Sequence, residues 1–282
     1  MRKAFSLIEL SIVILIIGIL IAGVTQGSRM VREMQLQTAR AQTNSAPVLS
    51  INDILMWVET TSTASFIDTE ATDGLTVSNW YDINQTSTIK NNPIQASSGN
   101  RPTYILSCIN SLPCLRFYGS TSYFNFDGTV LAGTNFSVIV VEQRRSNVVT
   151  NYFIGGTNES SNSLLHLGYR DDTHITFAQY MNDINIAVPA YSGPTPKIHV
   201  FTHSSTAGKN YYSNGVQMMT NSGATTGLSS FINARIGYYG NFPPVLFNGD
   251  LAEIIIFRKA LKNEERRSIE AYLGKKWNIK VS

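Results

Sequence analysis

Arg2-Lys3-Ala4-Phe5-Ser6-Leu7-Ile8-Glu9-Leu10, continued by an apolar run through Val24, is the stretch on which the reading of the whole chain turns. Two cations and one small residue precede a long apolar segment that is broken only by the carboxylate of Glu9. A secretory signal carries its small cleavage residues after the apolar core, whereas here Ala4 stands before it. Cleavage between Ala4 and Phe5 therefore leaves the apolar segment in the mature protein. As a helix, residues 5–24 measure about 30 Å, the thickness of a bilayer's hydrocarbon layer. Arg2 and Lys3 mark its cytoplasmic end.

A carboxylate inside a spanning helix costs about 2.5–3.5 kcal/mol on insertion scales and is usually partnered. Removal of residues 1–4 leaves a new ammonium on Phe5, and a second copy of the helix, shifted along its axis, can present that ammonium to Glu9. The plain alternative is a single-pass anchor with Glu9 at headgroup depth. The pattern closely resembles the class III signal of type IV prepilins and pseudopilins, with Phe5, Leu7, Ile8 and Glu9 in place. The resemblance implies cutting by a prepilin peptidase between Ala4 and Phe5, methylation of the Phe5 amine, and assembly through Phe5 and Glu9. Ala4 stands where Gly is commoner, and Gln26 where many major pilins have Pro, a departure that points to a minor or divergent pilin.

Helix formers without Pro continue from Val24 to Ala46, and Pro47 ends them, so one helix is expected over about 5–45. Its small residues fall as Gly18-x-x-x-Ala22 and Gly23-x-x-x-Gly27, a spacing that lets helix backbones approach in an apolar setting. Relaxed helix propensity in lipid is the competing account. Three units follow: a leader at 1–4, a transmembrane and filament helix at 5–46, and a head at 47–282.

The 282 residues are 43% hydrophobic and 15% charged, which suits an exported chain able to bury a sizeable core. Loss of Arg2 and Lys3 lowers the side-chain charge from +3 to +1, so no specific nucleic-acid partner is expected. After Pro47 short β-branched runs alternate with turn residues. Strands are expected at 103–106, 115–118, 136–142, 151–154, 175–180, 198–202 and 252–257, with turns at Gly155-Gly156, Asn214-Gly215 and Asn248-Gly249. Many short strands at such spacing argue for a β-sandwich. One further helix runs from a cap at Asn263 to about Lys276, acidic early and basic late. The fold class is thus α+β, a long N-terminal helix followed by an all-β sandwich with a C-terminal helix.

Cys108 and Cys114 flank Asn110-Ser111, turn formers between two strands, so a hairpin can bring the sulfurs together as a disulfide outside the cytoplasm. Two small core thiols are the alternative, and metal ligation needs more ligands than this pair supplies.

Leu55-Met56-Trp57, Asn79-Trp80-Tyr81-Asp82, Arg101-Pro102-Thr103-Tyr104, Leu115-Arg116-Phe117-Tyr118-Gly119 and Phe247-Asn248-Gly249-Asp250-Leu251-Ala252-Glu253, followed by the helix to Trp277, carry a second resemblance. In order and spacing they look like the bacterial LamG-like branch of the concanavalin A-like lectin/glucanase folds. That implies a two-sheet jelly roll that binds glycans or proteins, sometimes with calcium, or serves as an inert module. Asn84 and Gln85 follow Asp82 where an acidic loop is usual, so calcium lacks support; no cofactor and no metal site are expected.

No motif for nucleophilic, phosphate or zinc chemistry occurs. His199 and His203 share a strand, where four residues span about 13 Å, too far to share a metal. His166 and His174 read as solvated, Asp171-Asp172 as a turn, and Arg144-Arg145 as a charge pair in a loop. Glu253 has no acidic partner at i+2 or i+4 and reads as a structural charge beside the C-terminal helix. Glycosidic hydrolysis needs two such carboxylates, so the chain is not expected to be an enzyme. The aromatic loops remain: Tyr238, Tyr239, Asn241 and Phe242, and Tyr211-Tyr212 before Asn214-Gly215.

Two functions stay open. One is a pilin-like subunit, made in the bacterial inner membrane and polymerised with itself or other pilins into a surface filament or periplasmic pseudopilus, its lectin-like head recognising a surface glycan or protein. The other is a membrane-tethered head that binds or hydrolyses glycans without being primarily a filament subunit.

Overall fold

The computed structural model describes residues 7–133, 135–241 and 244–282. Ala4 and Phe5, with Thr134, Phe242 and Pro243, lie outside the described residues. Helix α1, Leu7–Asn44, has 38 residues, about 57 Å at 1.5 Å per residue. It stops where expected: Pro47 lacks a donor and opens a 3₁₀ turn, Pro47–Ser50.

The head that follows contains strands β1 (Ile54–Glu59), β2 (Thr103–Ile109), β3 (Leu112–Tyr118), β4 (Phe124–Asn125), β5 (Phe136–Arg144), β6 (Asn151–Gly156), β7 (His166–Tyr169) and β8 (His174–Ala178). Then come β9 (Ile184–Ala187), β10 (Lys197–Ser204), β11 (Gly208–Ser213), β12 (Val216–Asn221), β13 (Ala234–Ile236), β14 (Tyr238–Tyr239), β15 (Val245–Leu246) and β16 (Asn248–Phe257), and last helix α2 (Asn263–Trp277). Antiparallel pairing gives a large sheet in the order β12-β11-β10-β5-β16-β3-β2, with β1 also on β16. A second sheet runs β4-β13-β6-β7-β8-β9, and β14-β15 form a small ribbon.

Alternation along the central strands builds three layers. Phe136, Val138 and Val140 of β5 and Ile254 and Ile256 of β16 face the second sheet, in one core with Phe153, Phe177 and Phe201. Their neighbours Ile139, Val141, Ala252, Ile255 and Phe257 face a second core under the helices, with Ala39 of α1 and Ile269, Leu273 and Trp277 of α2. Burial on both faces explains why these segments read as nearly unbroken apolar runs.

Several boundaries move for local reasons. Tyr180 and Met181 adopt left-handed φ of 52° and 63°, so β8 ends at Ala178 rather than continuing to 180. β2 and β3 extend to the two-residue turn Asn110-Ser111, both with positive φ, as the right-handed twist of a hairpin favours. The backbone amide of Lys262 donates to Glu265 Oε2 at 2.9 Å, which places the α2 cap one residue before Asn263. Gly155 and Gly156 are not a turn: they lie within β6, and a Cβ on Gly155 would stand 2.4 Å from the carbonyl oxygen of Tyr238. Glycine here lets β14 lie directly on β6.

Candidate functional site: an exposed apolar helix, a buried clasp and an aromatic ridge

From Leu7 to Val24 the side chains of α1 are exposed, and the helix packs on no other element among the described residues. Leu7 is 83% exposed and Val24 73%, and a Cβ placed on Gly18, Gly23 or Gly27 would meet no atom within 4 Å. Ala22 lies on the same exposed stretch. Among the described residues this is one helix long and apolar enough to cross a membrane.

The last turns of α1 are held by a polar clasp. Lys276 Nζ of α2 donates to Glu59 Oε2 and Glu253 Oε2, both at 2.9 Å, and to Thr43 Oγ1 of α1 at 2.8 Å. Glu253 also accepts from Trp57 Nε1 at 2.8 Å and from Tyr272 Oη and Trp277 Nε1 at 2.9 Å. Thr61 donates its amide and hydroxyl to Glu59 Oε2, and Arg40 Nε caps the Thr61 carbonyl at 2.8 Å. Burial and the two nearby carboxylates push the Tyr272 phenol well above its usual range. Glu253 is therefore a structural charge beside α2. The partner that i+2 and i+4 lack comes from the neighbouring strand, where Glu59 stands opposite it in register. Both side chains are sealed from solvent, so they cannot flank a glycosidic bond. Cys108 and Cys114 are joined as a disulfide behind the β2–β3 turn, with Cα atoms 5.8 Å apart. Their sulfurs also lie near Asp250, but bonded to each other they offer no thiolate to a metal.

The aromatic ridge lies on the second sheet. Tyr238 packs on Tyr123 with ring centroids 5.0 Å apart, and the Arg235 guanidinium sits 4.2 Å and 4.6 Å from the two ring centres. Arg235 Nε donates to Asn125 Oδ1 at 3.1 Å. Tyr239 turns inward, 4.9 Å from Tyr152 and 4.7 Å from His166, and burial raises its pKa. Asn241 reaches Glu159 Oε2 at 3.5 Å. The sequence reading missed Tyr123 and Arg235, because nothing in the chain signals that β4 and β13 pair. His166 is buried rather than solvated, with Asp183 Oδ2 3.6 Å from its Nε2; His174 is part-exposed and pairs with Asp171 in the turn.

Other candidates prove to be core. Tyr211 and Tyr212 belong to β11 and are buried, not a binding loop. His199 Nε2 and the Tyr169 hydroxyl both meet Glu142 Oε1, at 2.9 Å and 2.8 Å, and His199 Nδ1 faces the Tyr211 hydroxyl at 2.8 Å. Desolvation lowers the His199 pKa, while His203 stacks separately on Phe136. Arg144 is no loop charge: it ends β5, buried over Tyr169 with its guanidinium 4.2 Å from the ring centre.

The polar groups of the loop after Trp80 are engaged within the chain. Asp82 Oδ1 accepts the amides of Trp57 and Asn84, and its Oδ2 the amide of Asn91. Asn84 Oδ1 is taken by Thr86, and the Lys90 ammonium already sits on the Asn84 carbonyl.

The family profile of the prokaryotic N-terminal methylation motif matches residues 1–25. No curated protein matches the chain. Among solved structures the chain is similar to Trypanosoma rangeli sialidase bound to 2,3-difluorosialic acid, with a TM-score of 0.54 at 11% identity over 88% of this chain and 39% of that one. It is also similar to the binding domain of Paraclostridial Mosquitocidal Protein 1, with a TM-score of 0.54 at 10% identity over 79% of this chain and 52% of that one. Botulinum neurotoxin type C, described as entering cells through two ganglioside molecules, gives a TM-score of 0.52 at 12% identity over 79% of this chain and 52% of that one. The chain thus spans about half or less of these proteins, and the likeness is one of fold: a β-sandwich carried on a prepilin-type N-terminus.

Proposed function

We propose that this chain is a pilin-like structural subunit that polymerises through α1 into a surface filament or periplasmic pseudopilus and displays its sandwich head for recognition. The observation that carries this is the apolar part of α1, whose side chains are exposed and, among the described residues, pack on no other element, and which bears a methylation motif. A prepilin peptidase removes residues 1–4, the precursor waits in the inner membrane, and the Phe5 ammonium of an incoming copy meets Glu9 of its neighbour. Gly18, Ala22, Gly23 and Gly27 allow those helices to approach. Electron microscopy of sheared surface material, with mass spectrometry, tests the reading. We expect filaments containing this chain without its first four residues, beginning at methylated Phe5. Retention of Met1, or cleavage after residue 24, would overturn it.

The tethered-head alternative gains support from one feature, the Tyr123–Arg235–Tyr238 ridge. Tyrosine faces stack on sugar rings, and the guanidinium of Arg235 and amide of Asn125 suit hydroxyl and carboxylate groups. In either reading the head binds without turnover, since the carboxylates Glu59, Glu142 and Glu253 are buried and engaged in hydrogen bonds. It also works without calcium, with Lys90 supplying the positive charge beside Asp82. Release of saccharide from a broad glycan panel would reject the binding-only reading.

A further inference from the structure

Two guanidiniums stand where the apolar run gives way to the head. Arg29 and Arg32 are three residues apart and so share a face of α1. Together with Leu36 of α1 and Leu106, Ser111 and Pro113 of the β2–β3 hairpin, they line a groove of about 470 Å³. Neither has an ion-pair or hydrogen-bond partner among the described residues. Glu33, also in the lining, is engaged instead by Gln37, whose Nε2 donates to its Oε1 at 3.0 Å. The next arginine along the helix, Arg40, is by contrast committed to the Thr61 carbonyl.

The position of this pair along the helix follows from the spanning segment. With residues 5–24 in the hydrocarbon layer, Arg29 lies about 7.5 Å and Arg32 about 12 Å beyond Val24 along the axis. The headgroup layer is roughly 5–7.5 Å deep on each side of the hydrocarbon. Helical side chains lean toward the N-terminus, so both guanidiniums hang back from their Cα atoms into that layer.

We propose that this groove binds the phosphate of an anionic phospholipid in the outer leaflet of the membrane that α1 spans, an inference that rests on the spanning reading above. A guanidinium offers paired N–H donors that match phosphate oxygens. The Ser111 hydroxyl adds a further donor, and Leu36, Leu106 and Pro113 form the apolar wall of the groove. The lipid fixes the depth and tilt of the precursor, with the head held against the membrane, until the subunit is extracted into the filament and the arginines are released.

Native mass spectrometry of the full chain, released from detergent with equimolar phosphatidylglycerol and phosphatidylcholine, tests this, and vesicle flotation of the same samples reports insertion. Two cations at the surface predict about a thirtyfold preference for the anionic lipid. R29Q/R32Q should abolish the preference while still floating, and R29K/R32K should keep part of it. An unchanged preference in R29Q/R32Q would overturn the proposal, as would displacement of the lipid by inorganic phosphate, which would mark the groove as a free-anion site. Wild-type chain that fails to float would overturn the spanning reading itself, a different failure from that of the groove.

Discussion

The two ends of α1 share one backbone geometry and differ in every contact they make. From Leu7 to Val31 the helix shows large aliphatic side chains outward, with Val31 still 56% exposed, whereas from Leu36 to Thr43 it lies on the large sheet with Ala39 and Thr43 buried. The docked end is the more polar of the two and is held by Thr43, Arg40 and the Lys276 clasp; the apolar end is exposed and packs on no other element among the described residues. Hydrophobicity therefore does not say which part of a helix packs on its own domain. A carboxylate pair and an ammonium bought specificity for the docked end, and greasy surface is left for lipid and other copies.

That contrast can be broken in graded steps. The largest expected effect is on assembly: Glu9→Ala should leave the protein inserted and its head folded but remove most of the filament yield, measured by immunoblot of sheared material. Normal yield would show that charge pairing in the apolar end is unnecessary. Next is Lys276→Ala, which strands two buried carboxylates and should cost about 3–5 kcal/mol in urea unfolding of a chain beginning at Arg29. A loss under about 1 kcal/mol would mean that water reaches the clasp.

Smaller effects sharpen the boundary. Replacing both Cys108 and Cys114 by Ser should lower stability by about 2–3 kcal/mol in the loop-closure view, read as a drop in the urea midpoint. Thr43→Val, which removes one acceptor from Lys276 while keeping the helix, should cost about 1 kcal/mol. Smallest of all, deleting residues 7–28 should leave the thermal midpoint of the head unchanged; a drop would show that the apolar end packs on its own domain.

Strands and helices with strong local signals were legible from the residues alone, among them 136–142 and 252–257, whose apolar runs are long enough to override neighbours. The hairpin around Asn110-Ser111 was legible because two left-handed residues leave the chain little choice. Gly155-Gly156 misled, since a glycine that makes a turn and one that admits another backbone look the same in sequence. His166, Arg144 and Tyr211 were misplaced for a related reason: a polar or amphipathic side chain does not declare whether a distant residue such as Asp183, Asp172 or His199 waits to satisfy it.

By itself the sequence determined the processing signal, the length and apolarity of the N-terminal helix, its stop at Pro47, and the alternation that makes the head a sandwich. These are short-range properties, set by local sterics, propensity and the periodicity of burial. Only the tertiary structure decided that Glu59 and Glu253 would face one lysine, that Tyr123 and Arg235 would complete the ridge begun by Tyr238, and that two arginines would be left open beside the hairpin. Each of those joins residues far apart in the chain, and sheet order and helix docking, which no local pattern encodes, determine which of them meet.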